Sequence, residues 1–339
     1  MRTGKLPENV WKRSVQKQMK TKRKEVFAGA GIGEDCAVCT FDNGSQTVVG
    51  VYTGHWPGKN TAKLTVHRSA NALAAAGAEP VAMDVAALLP EGTEEEYVKS
   101  MTVQIEEEGA LLGIQTAGCG ITVSKAVNCP VITATGIGSR AKESSVSIKN
   151  IKPGMDVAVS KWIGLEGTVF LAENLEEELL ARYPARFLGE AKRLERFLSV
   201  IPEAAVAGKS GVCAMHSVGE GGIFGALWEL AEGAGVGLDI DLKKIPIKQE
   251  TVEVCEFFGL NPYELASGGC LLMVSEKGHD LVRELEGQGI EAAVIGKITD
   301  SNDRVVINGE ERRFLENPKA DEIYKVWQRA TKQKDRAER

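Results

Sequence analysis

The chain has 339 residues, of which 43% are hydrophobic and 26% charged, and its formal net charge is −6. This composition is typical of a globular protein with room for two domains, and no apolar run reaches the roughly 20 residues that span a bilayer. The N-terminus lacks the apolar core of a secretory signal, so we expect a cytoplasmic protein without a membrane partner. Its seven cysteines show no disulfide framework and are expected to be reduced.

Residues 1–24 form a strongly basic segment, with nine Lys or Arg and one Glu. The apolar residues of this segment recur at helical spacing, which predicts an amphipathic helix laid against the body of the protein; they are Leu6, Val10, Trp11, Val15 and Met19. Contact with nucleic acid or with an acidic partner is the alternative. No aromatic platform or known nucleic-acid module supports it, so we predict no nucleic-acid binding.

The loop Gly31-Ile32-Gly33-Glu34-Asp35 leads into an apolar segment. Gly31 and Gly33 would let the backbone approach an anion closely, and Glu34 and Asp35 could hold a divalent cation that screens phosphate charge. The pattern therefore indicates a nucleotide site. An ordinary turn before a strand is the alternative, because a glycine-acid turn alone is a weak signal.

The first half of the chain alternates between strand and helix patterns. Predicted strands cover 47–52, 81–89, 114–117 and 131–137, and a predicted helix covers 60–76 and ends at Gly77. Thr93 is placed to cap a second helix that runs to about residue 112. The alternation predicts an α/β domain.

A turn-forming stretch, 150–156, marks the passage into a second α/β domain, and we place the boundary near 145. The predicted elements are strands at 156–160, 211–215, 270–274 and 292–298, and helices at 168–181, 184–198, 223–234 and 280–288. The predicted organisation is a basic helix at 1–24, an N-terminal domain at 25–145, a C-terminal domain at 146–325 and a basic tail at 326–339.

Five stretches, taken in chain order, resemble one family. They cover residues 31–38, 71–80, 164–168, 220–222 and 262–268. In this order they resemble the aminoimidazole-ribonucleotide (AIR) synthase superfamily, and residues 88–93 and 161–168 are most similar to its hydrogenase-maturation carbamoyl dehydratase branch, often called HypE. The resemblance covers nearly the whole chain.

The resemblance implies an α/β (α+β) PurM-like two-domain architecture, with an N-terminal sheet domain that pairs in a homodimer and a C-terminal α/β domain. It also implies ATP, used to phosphorylate an amide or carbonyl oxygen, and Mg²⁺ held by carboxylates. The matching positions give the expected ATP-binding residues, Gly31, Gly33, Asn71, Gly118, Gly221 and Gly222, and the expected metal ligands, Glu34 and Asp35. The candidate catalytic residues are Glu220, in the turn, and His216, which precedes the turn and could face the cleft between the domains. A hydrogen-bonded structural histidine is the alternative for His216.

Several positions depart from the family pattern where its chemistry is expected. The chain has Tyr52-Thr53 in place of an Asp-Pro pair, Ala72 in place of an Asp, and Ser217 in place of another Asp. A glycine-rich turn contains Cys119, and no cysteine follows Cys270, whereas the dehydratase branch uses a C-terminal cysteine. Removing one electrostatic stabiliser commonly costs about 100-fold in rate, so these changes predict altered or lost catalysis.

Two interpretations therefore remain. The chain is an ATP-dependent homodimeric enzyme with a changed substrate or metal arrangement, or it is a catalytically silent scaffold or regulatory protein with a protein partner. His55, with Tyr52 and Trp56, could instead form a new pocket with an imidazole base, and a repacked loop is the alternative there. Cys119 is a further candidate nucleophile, although no base is evident beside it.

Overall fold

A computed structural model describes residues 4–5, 10, 13–28, 38–39, 45–144 and 146–326. The chain divides into two compact units, residues 1–144 and residues 145–339. Each unit has its own β-sheet and its own hydrophobic core.

Unit 1 is built on a sheet of five strands within the described residues, in the order β1-β6-β5-β7-β4. The strands are β1 (Gly4–Lys5), β4 (Ser45–Gly54), β5 (Glu79–Pro90), β6 (Gln115–Ser124) and β7 (Val131–Ala141), while β2 (Val26–Ala28) and β3 (Val38–Cys39) form a separate pair. The central strand, β5, runs parallel to its neighbour β6, and the connection between them contains a helix. This is the connection that parallel neighbours require.

Two helices, α1 (Thr61–Ala75) and α2 (Glu95–Leu112), accompany this sheet. Helix α1 is buried along nearly its whole length because it contacts both the sheet and α2. A Cβ atom on Gly136 would lie 2.6 Å from Ser69 Oγ, so α1 approaches β7 more closely than any larger residue would allow. The predicted capping role of Thr93 was wrong: Glu94 holds the N-cap position of α2, and the Thr93 hydroxyl donates to the Pro90 carbonyl at 2.7 Å.

Within unit 1 the N-terminal segment packs against α2, but it is not a helix up to residue 24. Among the described residues, Val10, Arg13 and Ser14 are helical, and a 3-10 turn follows at Gln16–Gln18. Beyond it, Glu106 accepts hydrogen bonds from the backbone N–H groups of Lys20 and Thr21. The Glu106 side chain of α2 thus takes N–H groups that a continuing helix would use internally, which is the physical reason for the difference.

Unit 2 contains a mixed sheet of seven strands within the described residues, in the order β14-β13-β10-β12-β8-β11-β9. The strands are β8 (Asp156–Ser160), β9 (Ala214–Ser217), β10 (Gly237–Asp241), β11 (Leu271–Ser275), β12 (Ala292–Thr299), β13 (Arg304–Asn308) and β14 (Glu311–Phe314). Strands β8 and β11 are buried at every position, so both faces of the sheet are covered at its centre.

The helices of unit 2 are α3 (Leu165–Asn174), α4 (Glu176–Leu180), α5 (Ala185–Arg193), α6 (Ile201–Lys209), α7 (Gly222–Ala234), α8 (Gln249–Phe258) and α9 (Gly278–Gly287), with 3-10 turns at Ile148–Asn150, Leu194–Phe197 and Leu242–Lys244. Helix α7 supplies Ile223, Leu227 and Leu230 to the core over β8 and β11. Elements β10, β13, β14, α6 and α8 were not predicted from the sequence.

Candidate functional site

A glycine turn begins helix α7 of unit 2. Glu220 precedes Gly221 and Gly222, and both glycines have left-handed backbones, with φ of 80° and 62°. A Cβ atom on Gly222 would lie 2.5 Å from the Tyr263 carbonyl oxygen and 2.8 Å from that of Leu265. Glycine is therefore required at 222 both by the backbone angle and by the loop that passes over it.

Backbone N–H groups at the start of a helix attract anions, because they lack partners within the helix and the helix dipole is positive there. At α7 three of these groups have partners in the chain. The Gly221 N–H donates to Asp321 Oδ2 at 2.7 Å, the Gly222 N–H to the Gly219 carbonyl at 3.2 Å, and the Phe224 N–H to the Tyr263 carbonyl at 3.1 Å.

Asp321 is an internal anion at this helix terminus, and its side chain comes from a segment 100 residues further along the chain. Only 3% of the residue is exposed. Burial raises the pKa of Asp321 to about 7, and the negative charge of Glu166 adds to the rise, against hydrogen bonds from backbone N–H groups that lower it. The carboxyl therefore titrates near neutral pH.

Three further contacts hold loops of unit 2 together around the turn. The Tyr324 hydroxyl donates to Glu220 Oε2 at 3.2 Å, and the Asn261 N–H donates to Glu322 Oε2 at 2.8 Å. The Gly268 N–H donates to Glu166 Oε2 at 3.0 Å. Three motif segments that are far apart in sequence thus meet in unit 2: residues 164–168, 220–222 and 262–268.

His216 lies on β9, and its Nε2 atom is 3.0 Å from Glu229 Oε2. Both side chains are partly exposed, and Glu229 lies about two turns into α7. The structure therefore pairs His216 with a helix side chain beyond the glycine turn, while Glu220 lies at the turn itself.

The predicted ATP residues of unit 1 lie on two different layers. Asn71 is fully buried on α1, which covers one face of the sheet. Gly118 lies on β6 opposite Asp84 of β5, and a Cβ atom there would lie 1.9 Å from Asp84 Oδ1. Met83, the residue before Asp84, packs towards Gly109 of α2, so Asp84 and Gly118 face away from the helices.

Burial raises the pKa of Asp84, against a backbone hydrogen bond that lowers it. Burial also raises the pKa of the Cys119 thiol to about 12, and the charge of Asp84 adds to it. A thiol with this pKa stays protonated at neutral pH, which argues against Cys119 as a nucleophile.

A cation lies beside Tyr52, where the resemblance implies an Asp. The guanidinium carbon of Arg68 is 5.0 Å from the centre of the Tyr52 ring, and 8% of Arg68 is exposed. At the neighbouring positions, Thr53 Oγ1 lies 3.0 Å from Thr133 Oγ1 and the His55 ring is 3.2 Å from the Thr53 carbonyl. Trp56 is buried.

The implied Mg²⁺ ligands are not matched by the residues that the structure describes. Gly31, Gly33, Glu34 and Asp35 lie outside the described residues. Within the described ranges, no group of three His, Cys, Asp or Glu side chains is arranged to hold a metal ion. An aromatic ring under a guanidinium is no ligand set for a hard cation, which prefers carboxylate and carbonyl oxygens.

A cavity of about 440 Å³ adjoins the glycine turn. Its walls include Gly221, the stacked rings of Phe224 and Tyr263 (ring centres 5.2 Å apart), and the segment 313–320. The chain segment that supplies Asp321 therefore also closes one side of this cavity.

Sequence reasoning missed Asp321, Asp84 and Arg68. An Arg within a helix of small and apolar residues was a readable signal for Arg68. Asp321 gave none, because a carboxylate in a polar C-terminal stretch looks like an ordinary surface residue.

The two sheets and the glycine turn at a helix N-terminus define a two-domain α/β protein. Family models of the AIR synthase related protein match residues 33–139 (N-terminal domain) and 152–308 (C-terminal domain), so the chain belongs to the AIR synthase-related family. This confirms the family resemblance and the PurM-like fold class inferred from the sequence.

Among curated relatives, the chain is 27% identical to a putative hydrogenase expression/formation protein of Methanocaldococcus jannaschii, over 95% of this chain and 97% of that protein. It is 28% identical to the carbamoyl dehydratase HypE of Rhodobacter capsulatus, over 72% of this chain and 69% of the relative. The chain thus falls in the HypE-like branch of the family.

Two solved structures share the fold. The hydrogenase maturation protein HypE of E. coli has a TM-score of 0.77 at 21% identity, covering 94% of this chain and all of that chain. A HypE structure in complex with ATP has a TM-score of 0.71 at 17% identity, covering 93% and 95%. Among the described helices of this chain, none combines the length and hydropathy needed to cross a membrane.

Proposed function

We propose that this chain is an ATP-binding protein of the HypE-like branch in which phosphoryl transfer to an amide or carbonyl oxygen is altered or lost. The observation that carries the proposal is the alignment over nearly the full length of both chains with a relative named for hydrogenase expression and formation. The proposed ATP-binding residues are Gly31, Gly33, Asn71, Gly118, Gly221 and Gly222, with Glu34 and Asp35 as candidate metal ligands and Glu220 and His216 as candidate catalytic residues.

The altered chemistry is supported by charge at one position. The resemblance implies a carboxylate near Tyr52, and the chain instead holds the Arg68 guanidinium there. A carboxylate would attract Mg²⁺, whereas a guanidinium can itself donate charged hydrogen bonds to phosphate oxygens. We therefore infer that ATP binding depends less on Mg²⁺ than a carboxylate-lined site would require.

Arg68→Gln is expected to weaken ATP binding by about tenfold or more, because a hydrogen bond to a charged group contributes about 1.5–3 kcal/mol. Calorimetric titration in the absence of Mg²⁺ would measure the change. Arg140→Gln, which removes an arginine bound to Gln46 and to the Ala76 carbonyl, is the matched control. Equal affinities in wild type and Arg68→Gln would exclude this role for Arg68.

A catalytically silent binding protein is the second candidate. It is favoured by the Asp321 carboxylate, which already occupies the helix terminus where the predicted ATP residue Gly221 lies. Measuring ADP release from ATP by the full chain separates an enzyme with altered phosphoryl transfer from a silent protein in which that transfer is lost. Turnover supports the enzyme, and ATP binding without turnover supports the silent protein.

We also propose that the chain forms a homodimer through the sheet of unit 1. On β4, Val49 is 60% exposed and Val51 is 64% exposed, and both side chains face away from the helices. Two exposed valines that neighbour each other on one face of a strand leave apolar surface that a second copy of the same sheet could bury.

Replacing both Val49 and Val51 with Asp is expected to shift the protein to monomers, because it would bring four carboxylates into the proposed interface of each dimer. Sedimentation velocity across a range of protein concentrations would measure the change. Leu111→Asp, at an apolar residue of α2 that is 73% exposed, should leave the oligomeric state unchanged. A double variant that sediments as the wild type would contradict this interface.

A further inference from the structure

We propose that residues 315–326, here called the C-terminal strap, are autoinhibitory: the Asp321 carboxylate occupies the glycine turn of α7 and must leave before a phosphate group of a ligand can bind there. The inference rests on the proposed function, because it takes Gly221 and Gly222 as ligand-binding residues. It adds a regulatory segment that the strands and helices of the sequence pattern did not predict.

The contacts of Asp321 match those expected of a bound anion. Its two oxygens accept hydrogen bonds from backbone N–H groups, Oδ2 from Gly221 at 2.7 Å and Oδ1 from Ile323 at 2.9 Å. The N–H groups of Gly222 and Phe224 are bonded to carbonyls within the chain. An external phosphate would therefore have to compete with Asp321 for the Gly221 N–H.

The strap is attached to unit 2 mainly at its C-terminal half. Asp321, Glu322 and Ile323 are buried. The Glu322 carboxylate accepts a hydrogen bond from the Asn261 N–H, and the Tyr324 hydroxyl donates one to Glu220. Residues 316–320 are exposed and have no regular secondary structure. An exposed stretch followed by a buried anchor is a geometry in which the anchor can detach without unfolding the sheet.

The charges around Asp321 make its attachment depend on pH. Glu166 of α3 faces Asp321, and Glu220 lies in the turn. Glu322 adjoins Asp321 in the strap and is paired with Lys325. The charge of Asp321 also contributes to the raised pKa of Cys255 on α8. Apart from Lys325, the ionisable groups in this set are acidic. An ionised Asp321 is therefore held against carboxylate repulsion and desolvation.

The direction in which pH changes the attachment of the strap follows from the raised pKa of Asp321. Attached, Asp321 has a pKa of about 7, and detached it would return to its ordinary acidic range. The attached state thus binds the proton more tightly, so attachment is favoured at low pH. Detachment becomes easier as pH rises, by up to about tenfold per pH unit, until pH 7, and is constant above it.

Two substitutions at Asp321 should act in opposite directions. Asp321→Ala removes the acceptor, so the strap should detach and ATP should bind more tightly. Asp321→Asn keeps an acceptor for the Gly221 N–H without a charge, so the strap should stay attached and lose its dependence on pH. Asp280→Asn, at an exposed carboxylate in the first turn of another helix, is the control.

The test combines two readouts on the full chain. Amide hydrogen exchange of peptides covering 315–326 and 219–226 reports detachment, and calorimetry with ATP and with inorganic phosphate at pH 5.5 and 7.5 reports binding. We expect the strap amides to exchange faster, and ATP to bind at least tenfold more tightly, in Asp321→Ala than in Asp321→Asn. The wild type should resemble Asp321→Asn at pH 5.5 and come closer to Asp321→Ala at pH 7.5. Comparison with Asp321→Asn also removes the effect of ATP's own protonation.

Protection of the strap amides, measured relative to their intrinsic exchange rate at each pH, that is unchanged by Asp321→Ala and by pH would overturn the proposal. So would faster exchange combined with unchanged phosphate binding, because the carboxylate would then block nothing. If Asp321→Ala fails to fold, the pH series on the wild type and on Asp321→Asn still tests the proposal, because only the wild type should bind ATP more tightly relative to Asp321→Asn as pH rises. Failure of the proposed function looks different: the strap would detach as expected, phosphate would bind, and ATP would bind no better than phosphate.

Discussion

Glu203→Ala is expected to lower the free energy of unfolding of unit 2 by about 3–5 kcal/mol, because it leaves a buried lysine without its counter-ion. Glu203 pairs with Lys161, and neither side chain exposes more than 8% of its surface. Burial lowers the pKa of Lys161 and raises that of Glu203, while the attraction between them opposes both shifts. Lys161 Nζ also donates to the carbonyls of Phe197 and Ser199, so the loss would spread to that segment.

Urea denaturation would measure the effect. Glu190→Ala, which breaks an exposed pair with Arg193, should change the stability little. A double variant, Lys161→Met with Glu203→Leu, should recover most of the loss, since well-packed apolar residues often replace a buried ion pair without penalty. A Glu203→Ala protein as stable as the Glu190→Ala control would contradict this account of the pair.

Gly222→Ala is expected to destabilise unit 2 by about 2–5 kcal/mol. The left-handed backbone costs an alanine about 1–2 kcal/mol, and overpacking adds about 1–3 kcal/mol. The second contribution arises because the new Cβ would lie 2.5 Å from the Tyr263 carbonyl oxygen, a backbone atom that cannot rotate away. The loop 263–265 would have to shift, and with it the wall of the cavity beside the turn.

Gly221→Ala separates the two contributions. Gly221 has a similar backbone angle, φ of 80°, but the nearest atom to an added Cβ is 3.7 Å away. It should therefore lose only the conformational part, about 1–2 kcal/mol. Equal losses in thermal or urea unfolding for the two variants would show that the loop over Gly222 adapts freely, contrary to the packing described.

The strands and helices with clear periodicity were predictable from the sequence. The predicted strand at 156–160 coincides with β8, and the predicted helix at 223–234 begins one residue late. Strand β10, by contrast, mixes apolar residues with a glycine and two aspartates, which are depleted in strands, and α8 mixes acidic and apolar residues. Mixed segments of this kind take their structure from tertiary contacts more than from local pattern.

The glycine turn at 220–222 was also predictable, since two adjacent glycines before an apolar helix indicate a backbone that other residues cannot adopt. The residue that occupies this turn, Asp321, was not predictable. Asp321 reaches Gly221 across 100 residues, and no local pattern encodes that contact. The pairing of Tyr52 with Arg68 is similar, because the two residues share no element, and only the packing of α1 on β4 brings them together.

The measurement that tests the central claim most directly is calorimetric titration of the full-length protein with ATP, with and without Mg²⁺, at pH 7.5. Our account predicts saturable binding of ATP whose affinity changes less than tenfold when Mg²⁺ is removed, because Arg68 supplies positive charge near Tyr52. Absence of heat at millimolar ATP in both conditions would contradict the proposal that this chain binds nucleotide. Binding that requires Mg²⁺ would contradict the role given to Arg68.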